Sequence, residues 1–226
     1  MVDGRDHIPT QWAAYCPTIV PPLPGVSLTD EDDLDLRELV KIEGSPEVEE
    51  DPSLDQDVIL DFDGWSYDAL AAQATLTISG DNVQYRDEVT PSSSGGECDV
   101  SDPLNWGAPE LPGSVCWNYL PIIHADGSLR IQEGGTGQGL LLVDGDLRLY
   151  EDFHFYGLVI VKGRVLMEDE ASITGGVIAA NDGSSGRRTE LDDSSSVRYS
   201  SCAVSRATPN LGGVGLLPGR FWFEIP

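Results

Sequence analysis

Positive charge is scarce in this sequence: 13 Lys and Arg stand against 39 Asp and Glu, for a formal net charge of −26. That balance argues against nucleic acid as a partner, because a phosphate-binding surface must be positive. Acidic lipid headgroups are disfavoured for the same reason. So many like charges repel one another in the compact state. A saline or calcium-containing medium would relieve this, since the Debye length falls to roughly 3 Å at 1 M salt. Long apolar runs are also missing. No stretch reaches the ~18–20 residues that a membrane span needs. The first residues lack the basic and then apolar pattern of a secretory signal, so the expectation is a processed or truncated form of an exported chain.

Catalytic signatures are equally sparse. There are three histidines, His7, His124 and His154. No G-x-S-x-G elbow occurs, and no serine has an evident base beside it in sequence. Gly134-Gly-Thr-Gly-Gln-Gly139 resembles a phosphate loop only superficially, having no lysine and opening a strand. Asp61-Phe-Asp63-Gly64 lacks the third acid and distal glutamate of a calcium loop, so it reads as a solvated turn. Sugar-cleaving folds of repeated strands set their acids along a long groove, and this repeat is short. The expectation is a protein that is not an enzyme.

Four cysteines are present, Cys16, Cys98, Cys116 and Cys202, without paired C-x-x-C spacing or clustered histidines. An even count in a Ser-, Gly- and Pro-rich chain favours two disulfides and an oxidising compartment. Cys98 and Cys116 close a short loop containing Pro103, Pro109 and Pro112, which pairs them. Cys16 and Cys202 remain, tying the first segment to the last. Free buried thiols are the competing reading.

Along the chain, residues 1–56 read as irregular, proline-rich and then acidic, with a run from Thr29 to Asp35. Residues 65–75 predict one helix, with Ser66 as cap and Asp68 in its first turn. Residues 76–120 read as loop. From 121 the character changes. Gly139-LLLVDGDLRLYEDFHFY aligns over Gly157-LVIVKGRVLMEDEASIT without a gap, an 18-residue period that Gly175 continues and Pro121 precedes. Fixed-period similarity is the mark of a solenoid. Odd positions form apolar columns: Ile123, Leu141, Val159 and Val177, then Leu129, Leu147 and Val165. Period-two alternation points these inward.

Even positions matter too. Leu140, Leu142, Leu158, Ile160 and Ile178 are apolar yet point outward, so this wall must be covered. The helix near 65–75 is expected to lie across it, clamped by Cys16–Cys202; a self-association surface is the rival. Asp144 falls over Lys162 and Asp146 over Arg164, forming a charge ladder. Glu151 falls over Asp169 and Asp152 over Glu170. These like charges repel unless a cation such as Ca2+ sits between them; a solvated acidic turn is the bland alternative. The fourth unit breaks at Asp182, and Ser196-VRYSSCAVSRA resumes alternation with either Val197 and Tyr199 or Ser196 and Arg198 inward. The last segment, 208–226, reads as a closing strand or tail, with Leu216-LPGRFWFEIP as the strand.

The expected fold is all-β: a short three-sided parallel β-helix over 121–207, right-handed, with residues 1–120 as an irregular flank carrying one helix. Several motifs, among them Trp12 with Cys16, Asp102-PLNWG107, Asn118-YLPIIH124, Gly137-QGLLLVDGDL147, Phe155-YGLVIVKG163 and Tyr199-SSCAVSRA207, resemble a family of exported bacterial proteins of unknown function. Their precursors often carry a type IV pilus accessory (PilX-like) N-terminal segment. The repeat is also similar in style to bactofilins, polymer-forming bacterial β-helices. The resemblance implies an extracellular or cell-surface structural or adhesive module, with pilus or envelope components or itself as partner. The alternatives are a filament or matrix subunit, and a carbohydrate-binding or carbohydrate-cleaving protein using outward Tyr150, Tyr156 and His154.

Overall fold

The 18-residue period is realised as strand pairing. The computed structural model describes residues 1–16, 21–28, 41–51, 60–62, 65–180, 188–192, 194–208 and 222–224. Strands Gly135–Val143, Phe153–Val161 and Ser172–Ala179 lie parallel, with Leu141 opposite Val159 and Val159 opposite Val177. We call this stack the long wall. Strands Ser128–Ile131, Leu147–Leu149 and Val165–Met167 form a second parallel stack, the short wall, with Leu147 opposite Leu129 and Val165. Among the described residues only two short α-helices accompany the strands, Tyr67–Ala71 and Ser201–Ala207. The protein is all-β, built on parallel sheets.

One core lies between the walls. Ile123, Leu141, Val159 and Val177 from the long wall meet Leu129, Leu147, Val165 and Met167 from the short wall, all fully buried. Each such side chain contributes about 1.5–3 kcal/mol through burial. Glycines make the close stacking possible where the long-wall strands change direction of backbone. Gly139, Gly157 and Gly175 have φ of +110, +150 and +147. A Cβ on Gly157 would press into the carbonyl oxygen of Gly139, and one on Gly175 into that of Gly157. At the opposite corner, Glu151, Asp152, Asp169 and Glu170 all adopt positive φ, between 54 and 67.

Residues 76–120 are not simply loop. Leu76–Ile78 pairs with Ile122–Ala125, and Asn82–Tyr85 with Ser128–Ile131, adding one more parallel strand to each wall ahead of the expected first unit. Their period is disguised, because Ile123 follows its partner Leu76 by 47 positions rather than 18. The difference is an excursion over residues 90–120 that sends Trp106 into the core. Trp106 is fully buried and meets Phe153 edge-on at 5.9 Å. Gly137 leaves room for it: a Cβ there would stand 3.0 Å from Trp106 Cε3. Side chains set this turn. Leu104 N donates to Asp102 Oδ1 at 2.9 Å, and Gly107 N donates to Asn105 Oδ1 at 3.1 Å.

Residues 1–56 also depart from the irregular expectation. Val2–Asp3 pairs with Ser196–Tyr199 and with Ile42–Glu43, while Val26–Leu28 pairs with Val48–Glu50. These short parallel strands extend the long wall beyond the fourth unit. The expected closing strand, Trp222–Glu224, lies between Val177–Ala179 and Val26–Leu28, inside the sheet rather than on its edge. The acidic run Thr29–Asp35 and the loop from Asp182 to Arg187 lie outside the described residues. Of the two registers open for the fourth unit, Val197 and Tyr199 point inward. Alternation ends there. Ser200 Oγ accepts from Ala203 N, and Asp6 accepts from Ser201 N and Oγ at 2.9 and 2.8 Å, so Ser201–Ala207 is helix and not strand.

The N-terminal strand carries an acid switch. The Asp3 side chain is fully buried and takes hydrogen bonds from Arg5 at 2.6 Å and shares one with His7 at 2.7 Å. Arg5 also pairs with Glu43 on the neighbouring strand. Burial pushes the Asp3 carboxyl up, but these bonds outweigh it and hold it at about 2. A carboxyl lowered in the folded state stabilises that state above its unfolded value of 3.8, and the contribution fades as pH falls towards 2. The protection of the Val2 and Asp3 amides, relative to the intrinsic exchange rate at each pH, should therefore fall selectively between pH 4 and 2, and Asp3→Asn should remove the dependence. An unchanged profile in the variant would assign the acid loss elsewhere.

Candidate functional site

Segments outside the repeat cover the outer face of the long wall. Leu140, Leu142, Leu158, Ile160 and Ile178 form an outward apolar surface, and all are buried. Tyr67 and Leu70 of helix Tyr67–Ala71 lie on them, with Leu60, Trp65 and Ala71 at the rim. The helix is shorter than the expected 65–75. Ser66 caps it, accepting from Ala69 N at 3.2 Å, while Trp65–Ser66 pairs antiparallel with Asp61–Phe62. Asp63 and Gly64 of the acidic turn lie outside the described residues.

A polar ladder pins this helix. Lys162 Nζ lies 2.9 Å from Asp144 Oδ1, 3.4 Å from Asp68 Oδ1 and 4.1 Å from the centre of the Tyr67 ring. His124 Nε2 sits 3.3 Å from Asp144 Oδ2. Burial raises the Asp144 carboxyl, but the Lys162 hydrogen bond and the charges of Lys162 and His124 reverse that and leave it lowered. Burial, with the Asp144 charge nearby, pushes the Tyr67 hydroxyl well up. The second rung of the expected ladder also forms, Arg164 Nε to Asp146 Oδ2 at 3.2 Å.

The other half of the wall is covered by an aromatic clamp. Cys16 pairs with Cys202 and Cys98 with Cys116, with Cα–Cα distances of 5.8 and 4.9 Å. Trp12, Trp117, Ala203 and Cys16 form a cluster over Tyr156. Trp12 Nε1 donates to Pro109 O at 2.6 Å. The Arg206 guanidinium stands 3.8 Å from the centre of the Trp117 ring and 4.9 Å from that of Trp12, and donates to Trp117 O at 3.0 Å. Gln138, outward and fully buried, donates to the carbonyls of Trp117 and Tyr119. Reducing the disulfides should free this cover. A link across 186 residues contributes about 2–4 kcal/mol by restricting the unfolded chain. Limited proteolysis within residues 1–16 should speed up at least about tenfold in Cys16→Ala/Cys202→Ala; equal rates would refute the clamp.

Ser172, His154 and Asp152 meet at the acidic corner. Asp152 Oδ1 is 3.0 Å from His154 Nε2, and Ser172 Oγ is 2.5 Å from Nδ1. The expectation that no serine has a base beside it is thus corrected, and the signal lay in the frame itself, because His154 stands opposite Ser172. A nucleophilic site also needs donors for an oxyanion. The nearest corner amides are engaged: Asp169 N donates to Asp192 Oδ2 and Glu170 N to Ser194 Oγ. His154 and Ser172 form a cross-strand pair, and Asp152 reaches His154 from the corner just before the same strand.

Glu151, Asp152, Asp169 and Glu170 are all exposed at stacked corners. Their backbones are left-handed, and a backbone hydrogen bond from Asp152 N to Asp169 O at 2.8 Å joins the two corners. Among the described residues no group of three or more His, Cys, Asp or Glu is arranged to hold a metal ion. No described helix is long and apolar enough to cross a membrane. No family model, curated protein or solved structure matches the chain.

Proposed function

We propose that this chain is a non-catalytic module of the cell exterior, structural or adhesive, associated with a pilus or the envelope. Its two parallel walls are read as the sides of a short right-handed β-solenoid, three-sided if the long wall turns at its glycine column. The observation that carries the reading is the double cover of the long wall. The apolar outer face is filled by the protein's own helix and by a disulfide-tied aromatic clamp, which leaves a rigid shape rather than a substrate cleft. Disulfides of this kind persist in oxidising compartments. The resemblance of Asp102-PLNWG107 and Tyr199-SSCAVSRA207 to PilX-associated exported proteins supports the placement. Surface biotinylation of intact producing cells tests it: labelled, oxidised protein is expected, and protein recovered only inside with free thiols would overturn it.

A second reading, self-assembly end to end, has its own observation. Leu76–Ile78 and Asn82–Tyr85 end their sheets, with a strand partner on one side only among the described residues. Open parallel edges invite pairing. Sedimentation velocity over a hundredfold range of concentration separates the two readings. A constant monomer supports the isolated module, and a rising coefficient supports assembly.

A further inference from the structure

The outer face of the short wall carries a group of basic residues that the chain's own acids leave under-neutralised. Outward positions align Gln84, Arg130 and Arg148 in one column, with Arg130 directly opposite both neighbours. Like charges one strand apart, about 4.8 Å, repel unless something lies between or beside them. Arg148 has one carboxylate near it, Asp146 at 3.6 Å, and Arg164 holds that same oxygen at 3.2 Å. Arg130 has no ion pair among the described residues. It lies 4.6 Å from the centre of the Tyr150 ring, and its buried Nε finds no acceptor. Beside these two guanidinium groups runs a shallow open groove of about 40 Å³, whose polar lining is Asn82, Gln84, Ser128, Arg130 and Arg148. Among the described residues, no carboxylate lines it.

We propose that this groove binds an acidic polysaccharide by its carboxylate groups, with Arg130 and Arg148 holding one uronate between them. Guanidinium groups suit a planar carboxylate because their paired N–H donors match its two oxygens. The neighbours fit a sugar better than a peptide. Asn82 and Gln84 both donate and accept, as hydroxyl groups require. Ser128 Oγ accepts from Asp146 N at 3.0 Å and keeps its proton to donate. An acidic peptide held by its side chains would look for apolar anchor pockets, and the outward side chains here are polar; a peptide adding as a strand at the open edge of Asn82–Tyr85 is the outcome that the tri-glutamate arm detects. The groove is open to solvent, so a polymer would lie along the surface and not thread into it. The assignment rests on the short wall alone and not on the surface placement proposed above, so either can fail without the other.

The test titrates the intact oxidised protein with a galacturonic acid trisaccharide, an uncharged galactose trisaccharide and tri-glutamate, followed by NMR shifts and calorimetry. Binding is expected for the uronate alone. Arg130→Gln and Arg148→Gln should each weaken it about tenfold, the cost of one charge-assisted contact, with unchanged circular dichroism. Arg198→Gln, on the long wall, should leave it unchanged. Equal binding of the neutral trisaccharide, absence of uronate binding, or binding that survives the double variant would overturn the proposal. Equal binding of tri-glutamate would overturn the sugar assignment and leave a general carboxylate site.

Discussion

Leu147→Asp is expected to abolish cooperative folding. Leu147 is fully buried between Leu129 and Val165 in the column that joins the two walls. Removing its side chain alone would cost about 2–5 kcal/mol. The introduced carboxylate would have no partner in that column and would add several kcal/mol more, or fold only when protonated. Domains of this size have a net stability of about 5–15 kcal/mol. The sum consumes much or all of that margin, so the variant should be recovered as aggregate or as a species without a thermal transition. A soluble, cooperatively melting Leu147→Asp would mean that this column does not face a shared core. Arg148→Asp, one position along and outward, should by contrast melt within a few degrees of the parent protein.

Gly157→Ala is the second large effect, and it comes from a single methyl group. Gly157 has φ +150, and its Cβ would collide with the Gly139 carbonyl in the strand beside it. That carbonyl is backbone in a paired strand and cannot swing away. Two penalties add: the left-handed conformation costs about 1–2 kcal/mol, and the collision forces the strands apart and loosens pairing on both sides. A loss of roughly 3 kcal/mol or more is expected, read as a lowered urea midpoint. Gly95 supplies the control. It also has positive φ, +63, but nothing lies within 4 Å of its Cβ position. Gly95→Ala should therefore cost only the conformational part, about 1–2 kcal/mol. Equal losses at the two sites would mean that close stacking at the glycine column is not a constraint.

The legible parts of this fold are those where one residue's role repeats. Leu141, Val159 and Val177 recur 18 apart, so parity alone sorted inward from outward, and the outward column Leu140, Leu158 exposed the need for a cover. The cysteine pairs followed from elimination in a chain with four. What escaped was structure without repetition. Leu76–Ile78 stacks like its successors, but the excursion carrying Trp106 separates it from them by more than two periods. Val2–Asp3 is a strand only because Val197 and Ile42 flank it, and two residues hold no pattern of their own. The Ser172–His154 contact was legible and overlooked, being a direct consequence of the frame. The Arg130–Arg148 column was legible in the same way, since the two arginines stand 18 apart. Its meaning depends on Asp146, the carboxylate near Arg148, being shared with Arg164, which the repeat does not show.

The most direct test of the stacked architecture is a three-dimensional NOE spectrum of isotope-labelled protein, read for contacts between residues 18 apart. Parallel in-register walls predict amide and Hα cross-peaks linking Leu141 to Val159 and Val159 to Val177 on the long wall. On the short wall they predict the same between Leu129 and Leu147, and between Leu147 and Val165. Close Hα–Hα pairs typical of antiparallel strands, or the absence of cross-peaks between these named pairs, would contradict the stack and with it the cover, the clamp and the arginine column built on its register.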